Sequence, residues 1–252
     1  MDLVKCYETF LSIRKAAKFE FKHPIEYGRR NLTAVSLKDF AYVNFSVLSM
    51  NELINTTNTF GYYIISLRAW QQTLDLLKPS LADQLSLQLE FIEPILACAI
   101  NSPYALKNQY IYTGVKLLQI ACSLSERWIP EDRDINLQFL KKILPASTVS
   151  KNFLSALYKI DTPECQNALG NTRNLSHHRI PRNFEFGVVP HVSIRKNIEG
   201  RKEIEVGSLK PIPISVCIDL LYEEHANSQE LLDIYWSFVR EQHENLISKS
   251  PI

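Results

Sequence analysis

A mainly helical bundle carrying one small β-hairpin is the fold that this sequence predicts, and three observations predict it. Apolar residues recur at three-and-four spacing through most of the 252 residues. Only seven glycines punctuate the chain, and no repeat, low-complexity segment or Gly/Ser linker interrupts it. Late in the chain a single stretch changes to period two: Val192 and Ile194 alternate with polar residues, as do Ile204 and Val206 across the turn Asn197-Ile198-Glu199-Gly200.

Taken in order, residues 2 to 17 read as a helix, while Leu37 to Met50 supports both a helical and an alternating reading. Tyr63, Leu67, Trp70, Leu74 and Leu77 mark a helix that Lys78-Pro79 should stop. Leu85, Leu89, Ile92, Leu96 and Ala99 mark the next, kinked at Pro94 and ended by Asn101-Ser102-Pro103. Gly114, Leu117, Leu118, Ala121 and Cys122 line a third, followed by a charged loop from Trp128 to Asp134. A short helix around Phe139 to Ile143 should stop at Pro145, and another holds Phe153, Leu157 and Ile160 with Ser147 or Ser150 as its cap. Thr162-Pro163-Glu164 is a helix start: a capping hydroxyl, proline at the first helical position and an acid at the positive end of the dipole. That helix should run through Asn171 to His178 and end before Pro181. A last amphipathic helix, or a broken pair, covers Ile214 to about Ile247. Residues 1–60 form an N-terminal extension packed on the bundle, and residues 61–252 form the helical domain proper.

The bulk composition narrows the function classes. With 46% hydrophobic and 22% charged residues, the chain is an ordinary globular protein able to bury a sizeable core. Net charge is +1, so no global basic field draws nucleic acid, and any such binding needs a local cluster. Cys6, Cys98, Cys122, Cys165 and Cys217 lack CxxC spacing, which fits reduced thiols in apolar surroundings rather than a zinc site. Met1-Asp2-Leu3-Val4-Lys5 leads into polar residues rather than a secretory signal, and the apolar runs are too short to span a bilayer. A cytoplasmic protein without a membrane partner is expected.

Charge gathers in one place. Between residues 171 and 202, seven basic residues stand against two acids, so this segment is about +5. It contains Arg173-Asn174-Leu175-Ser176-His177-His178-Arg179-Ile180-Pro181-Arg182. On a helix Asn174 and His178 share a face. Arg173 and His178 are roughly 140° apart on a helix, so they meet through the long arginine arm or across a two-fold axis. Histidine exchanges a proton near neutral pH, arginine presents a fork of donors to phosphate oxygens, and a carboxamide holds either in place. RNA supplies its own nucleophile, the 2′-hydroxyl, so a base, an acid and a cation suffice. No metal and no cofactor enter this scheme. The same residues also suit a helix C-terminus, where Arg, Asn and His satisfy carbonyls and the dipole.

Arg-Asn-x-x-x-His late in a helical chain resembles the signature of the HEPN (higher eukaryotes and prokaryotes nucleotide-binding) superfamily. Arg173 matches the family arginine, Asn174 the polar position and His178 the histidine. Over residues 60 to 247 the resemblance implies a helical bundle that dimerises to join two motifs. It implies metal-independent RNA cleavage by Arg173, Asn174 and His178, often in toxin–antitoxin or defence systems with an antitoxin partner. Inactive members bind nucleotides or RNA, or dock partners. His177, Arg179 and Arg182 are candidates for holding phosphates. His191 and His225 read as structural, His23 as a loop residue, and Trp70, Trp128 and Trp236 as core. Arg195, Lys196, Arg201 and Lys202 near the hairpin tip read as solubilising charge.

Overall fold

A computed structural model of the chain describes residues 3–17, 24–27, 32–34, 37–121, 131–171, 184, 189–196 and 202–248. It is mainly helical. Helix α1 (Leu3–Ala17) precedes the 41-residue α2 (Leu37–Leu77), and α3 (Leu81–Leu87) passes through a π-helical turn (Gln88–Ile92) into α4 (Glu93–Ala121). Then come α5 (Leu137–Ile143), α6 (Thr148–Tyr158), α7 (Pro163–Ala168), the strands β1 (Val189–Lys196) and β2 (Lys202–Leu209), and α8 (Ile214–Ser248). No helix among the described residues is long and apolar enough to cross a membrane.

Helix α2 is the central pillar and packs against α1, α4 and α8. It therefore buries apolar residues around much of its circumference, including Tyr42, Met50, Leu53, Phe60, Leu67 and Trp70. The stretch that the sequence allows to alternate, Leu37 to Met50, is helical throughout as part of α2. Ser46 donates to the Tyr42 carbonyl at 2.7 Å and Thr57 to that of Leu53 at 2.8 Å, so these polar side chains face no solvent penalty when buried. The helix also crosses the boundary expected at residue 60, and Leu53, Ile54, Phe60 and Ile64 belong to a common core.

Two expected helix boundaries are corrected by the structure. Pro103 does not end a helix but lies buried inside α4. Its missing N–H and ring clash cost roughly 3 kcal/mol. Burial of Ala99, Leu106, Tyr110 and Leu117 along the same helix outweighs that, so two expected helices are one. Just before Pro94, where a kink is expected, the helix widens into the π-helical turn, and the Glu93 amide donates to the Gln88 carbonyl.

The second correction concerns α7. Thr162 caps it as read, its Oγ1 accepting from the Cys165 amide at 3.1 Å. The helix then stops at Ala168 instead of running to His178. Gly170 (φ 64°) and Asn171 (φ 52°) are left-handed, the Asn171 amide donates to the Gln166 carbonyl and the Gly170 amide to that of Asn167. This is a glycine-terminated C-cap, and a left-handed pair cannot continue an α-helix.

Several local expectations hold. Ser147 is the cap of α6, with Oγ accepting from the Ser150 amide at 3.0 Å, and α8 is unbroken. The strands pair antiparallel with Val192 opposite Val206 and Ile194 opposite Ile204. Trp70 is core, whereas Trp236 is partly buried against it. The core of the C-terminal half lies where α4, α6 and α8 meet, with Phe153 stacked on Phe238 at 4.9 Å.

Candidate functional site

Arg173, Asn174, His177, His178, Arg179 and Arg182 lie within 172–183, outside the described residues. What the structure describes are the stretches before and after that segment, and both Asp161, some ten residues before it, and Phe184, directly after it, are hydrogen-bonded to buried polar side chains of the bundle.

At the N-terminal end the fastening is Glu224, a buried carboxylate on α8. It accepts a hydrogen bond from the Asp161 amide at 2.9 Å, and the Cys165 thiol donates to it as well. Nearby, Lys107 Nζ on α4 donates to the Ile160 carbonyl at 2.7 Å, and Asn227 Nδ2 donates to that of Lys159. Asp161 has φ 51°, a left-handed backbone that a non-glycine residue holds only where its surroundings fix it. The exposed Lys159–Glu230 pair at 2.9 Å adds little by itself.

Burial raises the Glu224 carboxyl above the ordinary carboxylate range, against the lowering effect of the Asp161 amide and the Cys165 thiol. Burial, with the neighbouring Glu224 charge, pushes the Cys165 thiol up to about 12. A thiol protonated at neutral pH is a poor nucleophile, so Cys165 serves as a donor here. Thr162→Ala removes the cap that starts α7 and should cost about 1 kcal/mol in urea unfolding; an unchanged midpoint would show that Glu224 alone fixes this turn.

At the C-terminal end the fastening is Phe184. It is 5% exposed, forms a parallel bridge with Ile212, and its carbonyl accepts from Gln88 Nε2. Gln88 is itself buried in the π-helical turn and also donates to Glu93 Oε1 at 3.0 Å. The wide turn thus carries a side chain inward that a regular helix would place elsewhere, a common use of π-bulges. Beside Gln88 opens a cleft of about 470 Å³, lined by Gln71, Asp75, Lys78, Gln84, Pro213 and Ser215 among others. Lys78 ends α2 with φ 45°, its amide still donating to the Leu74 carbonyl.

Two buried histidines are committed to structure. His225 Nε2 lies 3.2 Å from the Thr57 carbonyl, with the ring edge-on to Phe60 at 5.5 Å, in keeping with its structural reading. His243 pairs with Asp39 at 3.2 Å and stacks on Tyr42, whose hydroxyl donates to the Val239 carbonyl at 2.8 Å. Burial raises the Tyr42 hydroxyl far above the usual phenol range, so it stays a donor. This pair escapes sequence reading because its partners stand at the start of α2 and near the end of α8. Among the described residues no three His, Cys, Asp or Glu side chains gather as a metal-binding group. His23, Trp128 and Cys122 lie outside the described residues.

Comparison with protein-family models, with curated proteins and with solved structures gives no match for this chain.

Proposed function

We propose that the chain is a metal-independent endoribonuclease of HEPN type. His178 transfers protons, Arg173 stabilises charge on the phosphorane, and Asn174 orients His178 or the phosphate. His177, Arg179 and Arg182 hold neighbouring phosphates, and a homodimer supplies one histidine for each proton role. The observation that carries this reading is the motif Arg173-Asn174-x-x-x-His178 inside a segment of about +5 in a chain of +1. The mainly helical frame is consistent with it, and so are the fastenings at Glu224 and Gln88, since a catalytic segment needs its supports fixed. A toxin or defence role, an antitoxin partner and a cytoplasmic location belong to the same proposal.

The test is direct. Purified protein should cut RNA in the presence of a chelator, and His178→Ala should slow cleavage roughly 10²- to 10⁴-fold with helical circular dichroism unchanged. Equal cleavage by that variant would remove His178 from the chemistry.

The near-neutral net charge favours a second reading, a HEPN module that binds RNA or nucleotide, or docks a partner, without cutting. Such a module would lose affinity with Arg173→Ala and with added salt while leaving every strand intact.

A further inference from the structure

Away from the motif segment, one cleft combines a cation, aromatic walls and a stranded hydroxyl. It opens between α1, the middle of α2 and the π-helical turn, and its volume is about 510 Å³. Its floor is Phe10 against Trp70, buried rings stacked at 4.1 Å and 9°. Tyr7 and Phe91 form one rim with ring centroids 6.2 Å apart, and Tyr62 stands on the other side. Tyr7 is 45% exposed and Tyr62 37%, so both rims remain accessible.

Arg14 reaches across this space. Its guanidinium carbon lies 5.1 Å from the centre of Phe10 and 5.2 Å from that of Tyr62, and it donates to the Tyr62 hydroxyl. Among the described residues no carboxylate pairs with it, so several of its donors stay free for an anion. Ser66 lines the same cleft at 1% exposure, and its Oγ has no hydrogen-bond partner among the described residues. A buried hydroxyl in that state is costly unless water or a ligand takes it up.

We propose that this cleft binds one unpaired nucleotide of an RNA strand. Its base stacks at the Tyr7–Phe91 rim, its phosphate meets Arg14, and a ribose or base-edge group takes the hydrogen bond of Ser66. Aromatic faces accept any base, and a half-buried arginine held over aromatic rings is a preset partner for phosphate. The volume falls in the range of about 300–1,000 Å³ typical of ligand pockets. The assignment of the ligand to RNA rests on the ribonuclease reading, whereas the cleft and its chemistry do not.

Calorimetric titration of the full chain with 5′-AMP, 5′-UMP and inorganic phosphate tests the proposal. Both nucleotides should bind, phosphate alone at least tenfold more weakly. Arg14→Gln should raise Kd at least tenfold, and Tyr7→Ala about five- to tenfold, within the range measured for losing one base–aromatic stack. In a His178→Ala background, which should lose cleavage, the loss of affinity on Arg14→Gln and Tyr7→Ala should persist, so the two readings fail separately. Absence of heat at millimolar nucleotide, or affinity indifferent to both substitutions, overturns the proposal. Should Arg14→Gln disturb folding by circular dichroism, the rim variant Tyr7→Ala decides alone.

Discussion

Phe153→Ala is expected to cost about 3–5 kcal/mol of folding stability, read as a lower urea midpoint at unchanged slope. Phe153 is fully buried where α4, α6 and α8 converge. It stacks on Phe238 at 4.9 Å and lies 5.3 Å from the ring of Tyr235. A methyl added at Gly114 would come within 3.3 Å of its Cε1, which shows how closely α4 approaches this ring. Its neighbours sit on two other helices, α4 and α8, so removing the ring leaves a void that no single side chain fills, and the transfer and cavity penalties add. Phe153→Leu keeps most of the volume and should cost clearly less. Gly114→Ala is strained beside the intact ring but fits the void in the Phe153→Ala background, so the two changes should couple favourably in a double-mutant cycle. A loss below about 1 kcal/mol for Phe153→Ala, with no coupling, would contradict the packing described for this junction.

The parts of the fold that sequence reading recovers are those decided within a turn or two of chain. Ser147 and Thr162 announce helix starts because a cap needs only its own next three residues. The hairpin follows from period-two alternation, and α8 from its apolar stripe. Pro103 misleads because the proline penalty is local, whereas the burial that outweighs it comes from α2 and α8. The stop at Gly170-Asn171 was written in the chain as a glycine followed by asparagine, but the periodicity toward His178 masks it. Nothing local could reveal Asp39–His243, Gln88–Phe184 or Asp161–Glu224, since each joins residues far apart in sequence and only the bundle brings them together. The candidate site divides the same way. Its motif is legible as chemistry, while the supports of its flanks exist only in three dimensions.

Glu224 holds the turn that leads into α7, and two substitutions separate its roles. Glu224→Ala leaves the Asp161 amide without its acceptor and opens space beside the Cys165 thiol. An orphaned buried donor costs roughly 1–3 kcal/mol, and the lost side-chain packing adds to it, so a total of about 2–4 kcal/mol is expected. Amide hydrogen exchange should accelerate most across residues 159–171, because these hold their place through Glu224, Lys107 and Asn227. Glu224→Gln keeps an oxygen for the Asp161 amide and removes the charge. Burial raises the carboxyl in the folded state, so as pH climbs past the ordinary carboxylate range the unfolded chain loses this proton first. The folded protein then binds more protons than the unfolded one, and stability falls with rising pH through that window. Below it both states are protonated and the penalty vanishes; above the folded value the penalty is complete. The glutamine variant lacks this term, so its stability relative to the parent should improve on going from pH 4 to pH 7. A difference that stays flat with pH would mean that hydrogen bonding offsets burial, and a slope of the opposite sign that hydrogen bonding outweighs it. A slope of the predicted sign, with exchange in 159–171 preserved, would show that the segment leading to Arg173 is held by an acceptor oxygen rather than by a charge.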